Sequence, residues 1–180
     1  DGRLVATAGG AGTARVWDAA TGKPVCPPLV HRGEVLLLAW SPDGNRLVTA
    51  GREPTVRVWD PATGKPTASV LLGSPANAIA FSPDGTLLAA AGHDGSAVVA
   101  EAATGRQVGP PLRHATAAAA VAFHPAGDRL LVVSEAGVAW SVPITPVPGS
   151  AADVARWARR TTGLQLDAAG AATVDEAKGP

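Results

Sequence analysis

The apolar positions of this chain come in short runs, each closed by turn residues. Val35 to Trp40 is continuously apolar and stops at Ser41-Pro42-Asp43-Gly44, where Pro42 pre-sets a turn and Gly44 is free to take positive φ. That pattern predicts a buried inner strand followed by a tight turn. Arg46 to Ala50 predicts a second, largely apolar strand. Thr55-Val56-Arg57-Val58-Trp59 then alternates polar and apolar residues with the period of two that marks a half-buried strand. After the turn Asp60-Pro61-Ala62-Thr63-Gly64, Lys65 to Leu72 predicts a fourth, more exposed strand. Pro66 is tolerable there because an outer edge strand need not donate every ladder hydrogen bond. The unit is a four-stranded antiparallel meander.

The unit repeats. Ala39-Trp40-Ser41-Pro42-Asp43-Gly44 returns 41 residues later as Ala80-Phe81-Ser82-Pro83-Asp84-Gly85, and another 42 on as Ala122-Phe123-His124-Pro125-Ala126-Gly127. Asp1-Gly2 fits the end of an earlier copy. A second landmark, Val16-Trp17-Asp18-Ala19-Ala20-Thr21-Gly22, recurs as Val58-Trp59-Asp60-Pro61-Ala62-Thr63-Gly64 and, degraded, as Val99-Ala100-Glu101-Ala102-Ala103-Thr104-Gly105. Two independent landmarks with one spacing define a period of 41 to 42 residues. One such sheet cannot bury both faces alone, so copies must stack, and radial stacking of four-stranded sheets is the β-propeller arrangement.

These residues resemble the WD-repeat family. The resemblance rests on Trp17-Asp18 and Trp59-Asp60, the Ser-Pro-Asp-Gly turns and the period, and it covers residues 1–143. It implies an all-β fold, a β-propeller fragment of about four blades built from four-stranded antiparallel meanders. The expected blades are 1–30 (partial, without its innermost strand), 31–73, 74–114 and 115–143 (partial, without a clear outer strand). Closed propellers of this family usually have more blades, so the remaining blades are expected in a longer chain. The absence of Met fits a sequence that does not open at the native start.

The family also implies a polar network in each blade: a His before the inner strand, a Ser or Thr on the second, an Asp in the next turn and the third-strand Trp. His31, Thr49 and Trp59 match it in the second blade, where the turn acid is either replaced by Glu53 or lost. In the third blade Asp94 keeps the turn, but Ala100 stands for Trp and Ser74 for His. In the first, Ala11 takes the turn position. In the fourth, His114 fills the His position, and Trp140 lies in a shortened segment whose register the sequence leaves open. The structural repeat positions are therefore Trp17, Asp18, His31, Thr49, Trp59, Asp60, Asp94 and His114.

Composition narrows the chemistry. Hydrophobic residues are 46% and charged residues 17%, while 21 Gly and 16 Pro punctuate the chain too often for long helices. Fifteen Lys and Arg balance fifteen Asp and Glu, so no single-sign field recruits nucleic acid or a membrane surface. With Cys26 alone there is no internal disulfide and no cysteine-based zinc site, and no apolar run spans a membrane. His93 and His124 lack metal-ligand spacing, and Asp43, Asp84 and Asp128 recur as turn residues. Gly22-Lys23-Pro24 and Gly64-Lys65-Pro66 are not phosphate loops, because Pro follows Lys where Ser or Thr is needed. No catalytic residue, cofactor or metal is expected. Cys26 reads as a strand residue.

Beyond the blades, residues 144–149 form a proline-rich linker and 150–180 a small appendage. Ser150-Ala151-Ala152-Asp153 has capping-box spacing, and Val154, Trp157 and Ala158 share one helical face that ends at Gly163. Leu164-Gln165-Leu166 and Ala172-Thr173-Val174 predict a hairpin. The Pro-Val-Pro-Gly linker, the Arg-Trp helix ending Thr-Gly-Leu and the following Leu-Asp-x-x-Gly are similar to the C-terminal extension of planctomycete-type proteins that join a serine/threonine protein kinase to WD repeats. No Gly-rich loop, His-Arg-Asp or Asp-Phe-Gly occurs here, so kinase chemistry would lie outside these residues.

The resulting expectation is a non-catalytic scaffold, cytoplasmic, that binds protein or peptide partners through rim residues Arg32, Arg52, Glu53, Arg106 and Arg113. The competing readings are a propeller enzyme or sensor holding a small ligand in its channel, and a purely architectural set of blades. The apolar inner strands Val-Leu-Leu-Leu-Ala and Ala-Ala-Ala-Val-Ala disfavour the channel reading.

Overall fold

Each apolar run between turns is a strand, and strands pair in sequence order. The structure, a computed structural model, describes residues 2–144, 164–166 and 172–174. The first sheet is β1 (Leu4–Gly9), β2 (Thr13–Asp18) and β3 (Leu29–Val30); the second is β4 (Val35–Trp40), β5 (Leu47–Gly51), β6 (Thr55–Asp60) and β7 (Lys65–Leu71). The third is β8 (Ala76–Phe81), β9 (Leu87–Gly92), β10 (Ser96–Glu101) and β11 (Leu112–Arg113), and the fourth is β12 (Ala118–Phe123), β13 (Arg129–Ser134) and β14 (Ala139–Pro143). All pairings are antiparallel, and no helix occurs among the described residues. The fold is all-β, made of propeller-like blades of three or four strands. Among the described residues the first blade has no inner strand and the fourth no outer one.

Two-residue spacing gives every strand two different faces, and both faces of the middle blades are buried. Three apolar clusters lie between successive sheets. Ala14, Val16 and Leu29 of the first blade meet Val35, Leu47 and Trp59 of the second. Val48, Val56 and Val58 of the second meet Leu88, Val98 and Ala100 of the third. Ala89, Ala91 and Ala97 of the third meet Val121, Leu130 and Val132 of the fourth. The core is thus a series of repeated interfaces rather than one centre, as expected of a repeat array. Each fully buried Val or Leu in it contributes about 1.5–3 kcal/mol.

Three departures from the sequence pattern matter for the surface. Register shifts fall between Val35 and Leu37, Ala76 and Ala78, and Ala118 and Ala120, so each inner strand carries a bulge at the same place. Uniformly apolar runs give no signal for it. Leu36, the residue so displaced in the second blade, is 52% exposed. The outer strands β3 and β11 are only two residues long, because Pro27-Pro28 and Pro110-Pro111 precede them and cannot donate ladder bonds. Among the described residues, β7 alone forms an outer strand of full length.

In the tail, β15 (Leu164–Leu166) pairs antiparallel with β16 (Ala172–Val174), with Leu164 opposite Val174. The expected helix and most of the linker lie outside the described residues.

Candidate functional site

The turns divide the exposed chemistry between two rims. On one rim, the segment before each inner strand is bonded to the turn between the second and third strands. Arg52 N donates to Glu34 O, His93 N to Pro75 O and Glu135 N to Ala117 O. On the other rim lie the hairpin turns after the inner strands and the turns after the third strands, tied by Ala102 N to Thr86 O and Ile144 N to Asp128 O.

The turns of the second rim are locked by their own side chains. Asp18 accepts from Thr21 N and Thr21 Oγ1, and Asp60 accepts from Ala62 N and Thr63 Oγ1. Glu101 does the same for Thr104 Oγ1 in the degraded copy and also holds Arg106. Ser41 donates to Asp43, and Ser82 to Asp84, each serine being buried at the head of its hairpin. Hydrogen bonds from Thr21, Ser41, Thr63 and Ser82 hold Asp18, Asp43, Asp60 and Asp84 below the usual carboxylate range. Asp128 instead lies 3.1 Å from His124 Nδ1. These acids serve turn geometry.

The second blade carries a complete polar chain. Trp59 Nε1 donates to Thr49 Oγ1 at 2.7 Å, and Thr49 Oγ1 lies 2.6 Å from His31 Nε2. His31 Nδ1 lies 2.6 Å from Glu53 Oε1, and Arg57 holds Glu53 Oε2 at 3.1 Å. One assignment satisfies every atom: the Thr49 hydroxyl accepts from Trp59 and donates to His31 Nε2, while His31 Nδ1–H donates to Glu53. That assignment needs a neutral imidazole, since a proton on Nε2 would leave the buried Thr49 hydroxyl hydrogen without an acceptor among its two partners. Burial pushes His31 below its ordinary pKa, and the Glu53 hydrogen bond only partly offsets it. Glu53 is raised by burial, but hydrogen bonds from Arg57 and His31 outweigh this and leave it lowered.

Both directions give the same pH slope. An unfolded His takes up a proton near pH 6.5 that folded His31 refuses until lower pH, so stability falls as pH drops below about 6.5. The Glu53 contribution is present above pH 4.5 and is lost as pH falls through its lowered value. Urea midpoints measured between pH 7.5 and 3.5 are expected to decline. In His31→Gln the decline above pH 5 should flatten while the limb below pH 4.5 persists. An unchanged profile in that variant would locate the titration elsewhere.

The other blades hold parts of this chain. In the first, Trp17 Nε1 donates to Thr7 Oγ1 at 2.8 Å at an exposed position. Ala11 supplies no acid there. In the third, Ser74 replaces the His and bonds Asp94 at 3.0 Å, while Ser96 donates to Asp94 at 2.6 Å. Ala90 and Ala100, at the repeat positions of Thr49 and Trp59, join the apolar cluster instead. In the fourth, Trp140 pairs opposite Val132, as Arg57 pairs opposite Thr49, and Val142 opposite Leu130 occupies the place of Trp59. The turn before β14 has the same length as in the second and third blades, so the segment is not shortened as expected; the tryptophan itself stands two positions earlier on its strand, nearer the rim, where its ring centroid lies 3.6 Å from that of His114. His114 Nδ1 has no hydrogen-bond partner among the described residues.

The expected rim residues do not form one surface. Arg32 and Arg52 are exposed on the first rim, Arg52 paired with Glu34 at 2.8 Å, and Arg113 is exposed on β11 opposite Ser96. Arg106 is on the second rim. Glu53 turns inward, its side chain 11% exposed, because the missing turn Asp leaves the His31 ring for it to satisfy. Cys26 sits beneath Gly64, where burial and then Asp60 push its thiol up, away from the reactive thiolate. Among the described residues no group of three His, Cys, Asp or Glu side chains converges as a metal site.

Residues 23–60 and 65–99 match the family model described as WD domain, G-beta repeat. These two stretches are WD40 repeats. Each takes in the outer strand of one blade and runs into the third strand of the next, so the sequence unit straddles the interface between blades. The chain is also similar to a solved structure, the crystal structure of the computationally designed Ika4 protein. The TM-score is 0.73 at 24% identity, covering 81% of this chain and 88% of that one, a likeness of fold. None of the curated proteins matches this chain. WD40 repeats are generally protein-interaction scaffolds and typically non-catalytic.

Proposed function

We propose that this chain is a non-catalytic scaffold that presents its first rim to a protein or peptide partner. The observation that carries this reading is the pairing of rigid support with exposed charge. Arg52 is fixed by Glu34 at the mouth of the second blade, beside the exposed Arg32 and the bulged Leu36, and the blade beneath is held by the His31–Thr49–Trp59 chain. A preorganised surface loses little entropy on binding. The tail's resemblance supports placing such a scaffold beside a serine/threonine kinase domain in a bacterial regulatory protein, where it would recruit substrates.

A pull-down from a lysate of the source organism, comparing the chain with an Arg32→Glu/Arg52→Glu double variant, tests the rim. Reversing both charges is expected to lower capture of a specific partner about tenfold or more. Equal capture would move binding off this rim. A metabolite that raised the melting temperature while no protein was captured would favour a ligand in the channel. Kinase motifs missing from the adjoining gene sequence would remove the kinase context and leave the scaffold reading intact.

A further inference from the structure

The inner-strand bulges set one residue of each blade at the first-rim end of its strand, Leu36 in β4 and Asn77 in β8. Asn77 Nδ2 donates to Ala118 O of the fourth blade at 3.2 Å, which orients the amide across the rim. His93 Nδ1 lies 3.5 Å from both Nδ2 and Oδ1, the outer limit of a hydrogen bond. A second N–H and the Oδ1 acceptor are therefore open to a ligand, and the two match the C=O and N–H of an extended backbone. Leu36 holds the same place one blade earlier and is 52% exposed. Blades stack against sheet faces, so stacking covers no residue on a rim. Arg52 lies beyond β5, one strand further out than Leu36, and gives one N–H to Glu34 while its side chain stays 71% exposed. Arg32, exposed next to it, forms no ion pair among the described residues.

On the reading that the first rim is the partner surface, we infer that it takes an extended peptide in which aliphatic and acidic residues alternate. Successive side chains of an extended chain point to opposite sides. A peptide whose backbone is clasped by Asn77 turns one set of side chains inward to Leu36 and the other outward to Arg32 and Arg52. The inward set meets an apolar surface and is aliphatic. The outward set meets guanidinium groups, whose forked N–H donors fit carboxylates. Because the Asn77 amide reads backbone groups, it favours an extended conformation and leaves the choice of residue to Leu36 and the two arginines.

Fluorescence anisotropy of the 180-residue chain with a short fluorescein-labelled peptide of alternating Asp and Leu reads the binding. Peptides alternating Lys with Leu, or Asp with Ser, are expected to bind about tenfold more weakly. Arg32→Glu/Arg52→Glu and Leu36→Ser should each weaken the Asp–Leu peptide by a similar factor, with an unchanged far-ultraviolet circular dichroism spectrum. The Asp–Ser peptide tests the Leu36 contact on the unaltered chain, so the contact is measured even if Leu36→Ser fails to fold. N-methylation scanned along the Asp–Leu peptide removes one backbone N–H at a time. At one position it should weaken binding about threefold to tenfold, and it should have no further effect on Asn77→Ala, which a purely structural role for Asn77 does not predict. Equal binding of the Lys–Leu or Asp–Ser peptide, or a methylation scan without effect, would overturn the inference. Absence of Asp–Leu binding overturns it whatever the lysate pull-down shows: lost capture by Arg32→Glu/Arg52→Glu leaves the first rim standing as a partner surface, and equal capture removes that as well.

Discussion

Replacing Trp59 by Ala is expected to lower the unfolding free energy by about 3–5 kcal/mol, the range for emptying a large buried aromatic site. The ring is 4% exposed in the cluster between the first two blades, with Val35 and Leu47 around it, so the space cannot be refilled by water without wetting apolar walls. The substitution also strips Thr49 of its donor at a fully buried position. Trp59→Phe keeps most of the volume and isolates that second effect, expected at about 1 kcal/mol. Trp17 is the control: it makes the same bond to Thr7, but at an exposed position, so Trp17→Ala should cost about 1 kcal/mol. The third blade carries Ala90 and Ala100 together, which predicts that Thr49→Ala and Trp59→Ala couple. The double variant should be about 1 kcal/mol less damaging than the sum of the two, because it removes donor and acceptor at once. Urea midpoints across the five variants measure this. Equal losses at Trp17 and Trp59 would show that the network, not the packing around it, dominates.

The comparison between Trp17 and Trp59 also shows how far the sequence could be read. Period, turn chemistry and strand alternation are local properties. They place β4 at Val35–Trp40 as expected and β5, β6 and β7 within a residue at their ends. The missing inner strand of the first blade follows from the same alignment. Glu53 was ambiguous because the Asp-Gly turn is replaced by Arg52-Glu53-Pro54, and only the position of the His31 ring decides between a solvent-facing and an inward carboxylate. Trp140 is unreadable for a related reason: it stands two positions earlier on its strand than Trp59 does, so aligning the two tryptophans shifts the register, and only the pairing with Val132 fixes it. The inner-strand bulges and the short outer strands depend on partners across a sheet, which no single run of residues records. Separation of Arg106 from Arg32 and Arg52 likewise needs the strand directions.

Gly105 and Gly22 make the sharpest test of the stacked arrangement, because the repeat gives them the same local role and different neighbours. Both close the turn after a third strand, with φ of +74° and +66°, and each donates its N–H to the residue that opens the turn, Glu101 or Asp18. An alanine at either site must take the left-handed conformation, which costs about 1–2 kcal/mol. For Gly22→Ala nothing else is near, and the loss should stop there. For Gly105→Ala the added methyl overlaps the Ser69 carbonyl. Ser69 is held in the centre of β7 opposite Arg57, so it cannot withdraw without breaking the β6–β7 ladder. Overpacking of this kind adds about 1–3 kcal/mol, for a total near 3 kcal/mol or more. Melting and urea midpoints for the pair should therefore separate by at least the difference in packing. Equal losses would mean that the second and third blades do not pack this closely in solution.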